Sequence, residues 1–244
     1  MTSAASSQQL AADRLNQFKK DGFLILPGFL TGEDCDALTA ELSARFEQQQ
    51  NSSRKTIGGL RNILHASPRV AALAVSPPLT SLTGRLLEAP AFPVRAIFFD
   101  KSARANWAVA WHQDLAIAVT GRSETPGYGP WSVKDGVVHV QPPRTVLENM
   151  LAVRLHLDEC SADNGALRVI PGSHRNGELN TEAINDWTTR IPPVMCEVPR
   201  GGALLMRPLL LHASSAAKAP SHRRVIHIEY AAVQLPSGLK WFAQ

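Results

Sequence analysis

The hydrophobic period of this chain changes near Pro90, and that change limits the fold more than any other feature. Before it, apolar residues recur at helical spacing. Cys35, Leu38, Leu42 and Phe46 are three, four and four residues apart, which predicts an amphipathic helix from an N-cap at Thr31 to about Gln49. Glu33 and Asp34 fall in its first turn, where the helix dipole favours acids. Further helices are predicted over 10–20, 68–75 and 78–87, the last two beginning at prolines suited to a first turn. One early strand, Phe23-Leu24-Ile25-Leu26, is stopped by Pro27-Gly28. After Pro90 the apolar runs are short and divided by glycine, proline and polar turns. Strands are expected at 94–99, 107–111, 137–140, 151–157, 167–170, 194–198, 203–206 and 225–230. The stretches 50–59 and 121–136 read as loops, the second long enough to serve a site. Helices followed by about eight strands predict an α+β protein: a double-sheet jelly roll, or cupin-like double-stranded β-helix, flanked by N-terminal helices.

With 244 residues the chain can bury roughly 70–75% of its unfolded surface, and one domain is expected over 1–244. Within it, 1–9 is expected to be mobile, 10–90 to form a mainly helical flank and 91–235 the jelly-roll core. Net charge is +4 and the basic residues are scattered, so no nucleic-acid-binding stripe forms. No run approaches the ~18 apolar residues of a membrane span, and the polar first nine residues do not read as a signal peptide. Cys35, Cys160 and Cys196 are odd in number and widely spaced, which predicts reduced thiols and a cytoplasmic protein.

The chemistry concentrates in Trp111-His112-Gln113-Asp114 and, far downstream, in His212, Ser214 and Arg223. Side chains two apart on a strand share a face, so His112 and Asp114 can bind one ion together. His212 supplies the third ligand of a 2-His-1-carboxylate set, which leaves open positions on Fe(II). Arg223 opens an apolar strand, where a buried guanidinium demands an anion. Against this stand the plain alternatives that His-X-Asp pairs arise by chance and that His212 is a hydrogen-bonded core histidine.

The chain resembles the phytanoyl-CoA dioxygenase family of Fe(II)/2-oxoglutarate oxygenases. The likeness runs from Asp21-Gly22-Phe23 through His112-Gln113-Asp114 to the specific stretch Asp163-Asn164-Gly165-Ala166-Leu167-Arg168-Val169-Ile170-Pro171-Gly172-Ser173-His174. It closes with Gly201-Gly202-Ala203-Leu204, His212 and Arg223. The resemblance implies that His112, Asp114 and His212 bind iron. It also implies that Arg223, Ser214 and Lys101 hold 2-oxoglutarate, with Arg224 as the alternative to Arg223. The implied reaction consumes O2 and 2-oxoglutarate, releases succinate and CO2, and hydroxylates a C–H bond. Related halogenases lack the carboxylate, so Asp114 favours hydroxylation, with desaturation and ring chemistry left open.

Arg154 and His156 share one face of a predicted strand where family members commonly carry aromatic or small residues. This departure points to a small polar or anionic substrate rather than a long acyl-CoA, or else to an arginine replacing an aromatic wall beside 2-oxoglutarate. Gln113 is a third candidate substrate contact. His174 reads as structural, and His65, His139, His222 and His227 as ordinary hydrogen-bonding residues. Tyr128 and Trp131 either close over substrate or pack their own loop. Two other functions compete: a cupin-like metal hydrolase or isomerase, and a non-catalytic 2-oxoglutarate sensor. A small-molecule substrate is expected, without nucleic acid or membrane, for a monomer or homodimer.

Overall fold

The computed structural model describes residues 12–52, 58–219, 221–236 and 238–243. The expected mobile segment 1–9 and residues 53–57 of the expected loop 50–59 lie outside these.

Five helices come first: α1 (Ala12–Asp21), α2 (Gly32–Ser52), α3 (Ile63–Ala66), α4 (Pro68–Ala74) and α5 (Pro77–Leu87). Strands β1 (Phe23–Leu26) and β2 (Gly59–Leu60) lie among them. Then come β3 (Phe92–Lys101), β4 (Val109–His112), β5 (Ile117–Val119), β6 (Trp131–Lys134), β7 (Val137–Val140), α6 (Arg144–Glu148) and β8 (Met150–His156). The chain continues through β9 (Leu167–Val169), α7 (Thr181–Arg190), β10 (Val194–Cys196), β11 (Ala203–Met206), β12 (His212–Ser214) and β13 (Arg223–Ala231).

The helix starts follow from local chemistry. The Asp34 N–H donates to Thr31 Oγ1 at 3.1 Å, and the Thr31 hydroxyl donates back to the Asp34 carboxylate at 2.8 Å, so Thr31 caps α2 as expected. Ser67 accepts from the Val70 N–H at 3.2 Å with Pro68 at the first helical position of α4. Among the described residues, no single helix is long and apolar enough to cross a membrane.

A large sheet has the order β1-β11-β8-β13-β3-β2, and a smaller one β10-β9-β12-β4. A third sheet, β5-β7-β6, flanks them. The architecture is the α+β double-stranded β-helix. On the large sheet, alternation divides the side chains into two layers. Leu151, Val153 and Leu155 of β8 and Ile226, Ile228 and Tyr230 of β13 point outward into one core with Phe18, Cys35, Leu38, Leu42 and Leu79 from the helices. Arg154, His156, Arg223, Val225, His227 and Glu229 therefore face inward.

Two expectations fail locally. The loop expected at 121–136 contains β6, which pairs with β7 across Asp135-Gly136. Both turn residues have positive φ, 50° and 77°, as a tight type I′ hairpin requires. The Asp-Gly signal was present but was obscured by the surrounding glycine and proline. Residues 212–214, which are not among the expected strands, form β12, too short to show a period.

Candidate metal centre

β12 lies between β9 and β4, and its register sets His212 directly opposite His112. Towards the other end of the pair, Ser214 faces Val109, so three steps along β4 match two along β12. Such a bulge kinks a strand and re-aims a side chain. Asp114 follows β4, anchored by its N–H to the Pro208 carbonyl at 2.9 Å. One ligand atom from each of His112, Asp114 and His212 lies within 4.8 Å of the others. His112 Nε2 is 3.8 Å from Asp114 Oδ1, and His212 Nε2 is 3.7 Å from Oδ2.

Tautomers follow from the backbone. His112 Nδ1 is 2.9 Å from the Ala110 carbonyl and His212 Nδ1 is 2.8 Å from that of Leu210. A carbonyl only accepts, so Nδ1 carries the proton in each ring and Nε2 presents its lone pair to the shared centre. Burial pushes Asp114 up, but the His212, His227, His112 and Arg95 charges more than offset this and hold it at about 2. Burial lowers His212 to about 4, so it is neutral at physiological pH. Two imidazoles with Nε2 towards one point and one carboxylate, on one side of an open cleft, form a donor set that fits Fe(II).

A cleft of about 210 Å3 opens over this set, lined in part by Arg154, Arg223 and His227 from the large sheet. Arg223 is buried, donates NH1 to the Gly165 carbonyl at 2.7 Å, and leaves Nε without a partner. Arg224 points to the opposite face, where Nε and NH2 each donate to Asp158 at 2.7 Å. Only Arg223 can therefore serve the cleft.

Lys101 stands beside Arg223 in register and donates Nζ to the Ser215 carbonyl at 2.7 Å. Burial and Arg223 lower it to about 8. Gly165 makes this arrangement fit. Its φ is +83°, and a Cβ there would lie 2.8 Å from the Ser215 oxygen and 2.9 Å from Lys101 Nζ. Ser214 is buried two residues beyond His212 on the same strand.

The substrate candidates separate. Arg154 lines the cleft, is lowered to about 10 by burial and Arg223, and has an unpartnered Nε. His156 is buried on the same inward face with both ring nitrogens unpartnered, and burial with the two arginines drives it well below its ordinary value. Gln113 is corrected: it does not reach the cleft. Its Nε2 donates to the Gly177 and Leu209 carbonyls at 2.8 and 2.6 Å, and its Oε1 accepts from the Leu179 N–H at 2.8 Å. Alternation turns it away from its two neighbours, and it ties the end of β4 to 177–179.

Four further residues lie along the inner face. Arg154 NH1 is 3.1 Å from His227 Nδ1, and a guanidinium only donates, so His227 carries its proton on Nε2, 3.3 Å from Glu229 Oε1. Arg95 closes a two-pronged ion pair on Glu229 and reaches His139 Nε2 at 3.0 Å. Burial pushes Glu229 up, but Arg95 and His227 outweigh it and leave the carboxyl below its ordinary value. His227 does hydrogen bond, as expected, yet it also lines the cleft. The alternation 223, 225, 227, 229 was the available signal. Elsewhere, His222 pairs with Asp100 at 2.9 Å, and His174 sits under Gly22, where a Cβ would come within 2.3 Å of its ring.

The model of the phytanoyl-CoA dioxygenase (PhyH) family matches residues 18–225. The chain belongs to this family. It is an Fe(II)- and 2-oxoglutarate-dependent dioxygenase, and O2 is its other cosubstrate. L-proline trans-4-hydroxylase from Streptomyces griseoviridis is 23% identical over 248 residues, covering 88% of this chain and 84% of that protein. Ectoine dioxygenase from Bordetella parapertussis is 25% identical over 175 residues, 68% of this chain and half of the relative's length. Among solved structures, EctD from S. alaskensis with bound Fe superposes with TM-score 0.73 at 21% identity, over 97% of this chain and 81% of that one. The α-ketoglutarate-dependent carbocyclase SnoK from nogalamycin biosynthesis gives TM-score 0.71 at 16% identity, over 96% and 88%. At these identities the superpositions speak to the fold.

Proposed function

We propose that this dioxygenase hydroxylates an unactivated C–H bond of a small anionic metabolite. In this reading His112, Asp114 and His212 hold the iron, and Arg223, Ser214 and Lys101 hold 2-oxoglutarate. When bound, iron and 2-oxoglutarate supply the oxidising chemistry, with O2 consumed and succinate and CO2 released. The protein's own work is positioning. The Ala110 and Leu210 carbonyls lock both imidazoles with Nε2 towards the centre. The planar fork of Arg223 suits a carboxylate, and its unpartnered Nε is the group that such a ligand would satisfy.

Charge is the observation that carries the substrate class. Iron(II), Asp114 and the 2-oxoglutarate dianion sum to one negative charge, which Arg223 balances. Arg95 is balanced by Glu229. Lys101 and Arg154 remain as buried cations, and burying an uncompensated charge costs several kcal/mol. A carboxylate or phosphate on the substrate, met by Arg154 with His156 behind it, supplies the compensation. A cupin-like hydrolase or isomerase leaves Arg223 and Lys101 without a use, and a sensor has no need of all three iron ligands. We further propose that residues 91–235 form the catalytic core and that the enzyme works in the cytoplasm as a monomer or homodimer.

The test is an anaerobic titration of metal-free protein with Fe(II) and then 2-oxoglutarate, following the visible metal-to-ligand charge-transfer band. A band in the wild type that vanishes in His212→Ala supports the assignment. Iron-loaded, folded protein without a band sinks it. Succinate release stimulated by small acids, but not by their amides, then tests the anionic substrate.

A further inference from the structure

The iron cleft does not end at its own walls. A second chamber of about 550 Å3 adjoins it, and Arg61, Ile97, Phe99 and Trp107 line both spaces. The cleft alone, about 210 Å3, is smaller than the roughly 300–1,000 Å3 of ordinary small-molecule sites. It must also take 2-oxoglutarate. A substrate with its reacting carbon near the metal therefore has room to extend into this annex.

The annex has a distinct chemistry. Ile97 and Phe99 are alternate inward residues of β3, and Trp107 stands nearby with Lys101 Nζ 5.4 Å from its ring centroid. Beside them, at the edge of the same sheet, the wall is backbone. A Cβ on Gly58 would lie 2.8 Å from the Trp107 ring, and one on Gly59 would lie 2.2 Å from the Phe98 carbonyl. Glycine at both positions lets this segment lie directly against β3 and the Trp107 ring. Polar groups line the annex as well, Arg61, Arg104, Asn106 and Asp135 among them. The Asn106 amide binds the Ala217 backbone on both sides, at 2.9 and 2.7 Å, and Arg61 pairs with Asp135 at 2.7 Å. Arg154, whose Nε has no partner, lies on the cleft side of Phe99, 5.6 Å from its ring centroid.

We propose that the annex binds the body of the substrate, and that this body is a flat, mainly apolar ring system carrying its acidic group towards Arg154. The inference rests on the proposed hydroxylase reading, because that reading places 2-oxoglutarate in the cleft and an acid on the substrate. It excludes a compact imino acid as the natural substrate, since such a molecule leaves the Ile97, Phe99 and Trp107 surfaces wet.

Calorimetric titration of the full-length protein tests this, with Zn(II) and saturating 2-oxoglutarate present so that no turnover occurs. The probes are naphthalene-2-carboxylate, its neutral carboxamide and L-proline. Naphthalene-2-carboxylate is expected to bind at least about 10-fold more tightly than L-proline. Ala105→Phe, which fills the annex from a buried lining position, is expected to weaken naphthalene-2-carboxylate by about 10-fold or more and to move L-proline by less than about 2-fold. Trp107→Ala cuts the wall instead of filling the space, and is expected to weaken the same probe by about 5-fold. Tighter binding of L-proline, or naphthalene-2-carboxylate binding that neither variant changes, overturns the proposal. Equal binding of carboxylate and carboxamide, with both variants effective, keeps the annex and refutes the anionic reading. Failure of the Fe(II)/2-oxoglutarate assignment registers separately, as a missing charge-transfer band, however the probes behave.

Discussion

Replacing Arg223 with methionine keeps most of the side-chain bulk and removes the guanidinium. In the free protein Arg223 is 3% exposed, holds the Gly165 carbonyl at 2.7 Å and leaves its Nε unpartnered. Lys101 is its cross-strand neighbour, and the Arg223 charge depresses both Lys101 and Arg154. Three buried cations thus repel one another until an anion enters. Truncating one half of a buried, hydrogen-bonded charge pair costs about 2–5 kcal/mol. Because Lys101 remains, a loss of about 3 kcal/mol is expected, a roughly 150-fold rise in the 2-oxoglutarate Kd. Stability should not follow affinity. One hydrogen bond is lost but repulsion is relieved, so Tm should move by no more than about 3 °C. Anaerobic titration of the visible band gives the Kd, and scanning calorimetry gives Tm. A Kd within about 5-fold of wild type refutes the role given to Arg223, and a Tm fall above about 10 °C makes it a structural residue.

Lys101 makes the site pH-dependent. Its folded value, about 8, lies below its ordinary 10.5, so the unfolded chain binds more protons between the two. The free protein should therefore gain stability as pH rises through that window, while 2-oxoglutarate affinity falls because the ammonium is lost. Lys101→Met should flatten both profiles, and an unaltered affinity profile in that variant refutes the assignment. Gly165→Ala forces a left-handed conformation on a residue with a Cβ, which costs about 1–2 kcal/mol before the Ser215 and Lys101 contacts are counted. Its Tm should fall by about 4–8 °C, and an unchanged Tm would show that the crowding is relieved without cost. Arg224→Ala removes the outward pair with Asp158 and should lower stability by about 1 kcal/mol in denaturant melts. It should leave the 2-oxoglutarate Kd within about 2-fold, and a tenfold rise would reverse the roles of the two arginines.

Much of the site was legible because it is local. His112 and Asp114 are separated by the period of a strand, and that spacing alone puts both side chains on one face. The same rule paired Arg154 with His156 and ranged Val153, Leu155 and Leu157 opposite them. The Thr31 cap and the Cys35–Phe46 helix face were readable for the same reason, since each depends on neighbours within about one or two turns. The stretch from Asp163 to His174 supplied the family, but not why its glycine is needed. That reason is the approach of Lys101 and Ser215 to Gly165, made across the sheets.

Register between distant strands was not legible. Arg95 meets Glu229 across 134 residues of chain, and Arg154 meets His227 across 73. Arg154 stood out on its own strand and His227 read as an ordinary hydrogen-bonding residue, but nothing local joined either to its partner. Gln113 likewise read as a substrate contact until the backbone at 177–179 and 209 took up its amide. By itself, the sequence determined the change from helices to strands near Pro90, the face of each side chain on its own strand and the ligand types, because these depend on bond geometry over a few residues. Tertiary structure alone decided which cations converge on one cleft, which of them are already neutralised and how far the cavity extends. Those properties arise only when separate strands are laid side by side and water is removed from between them.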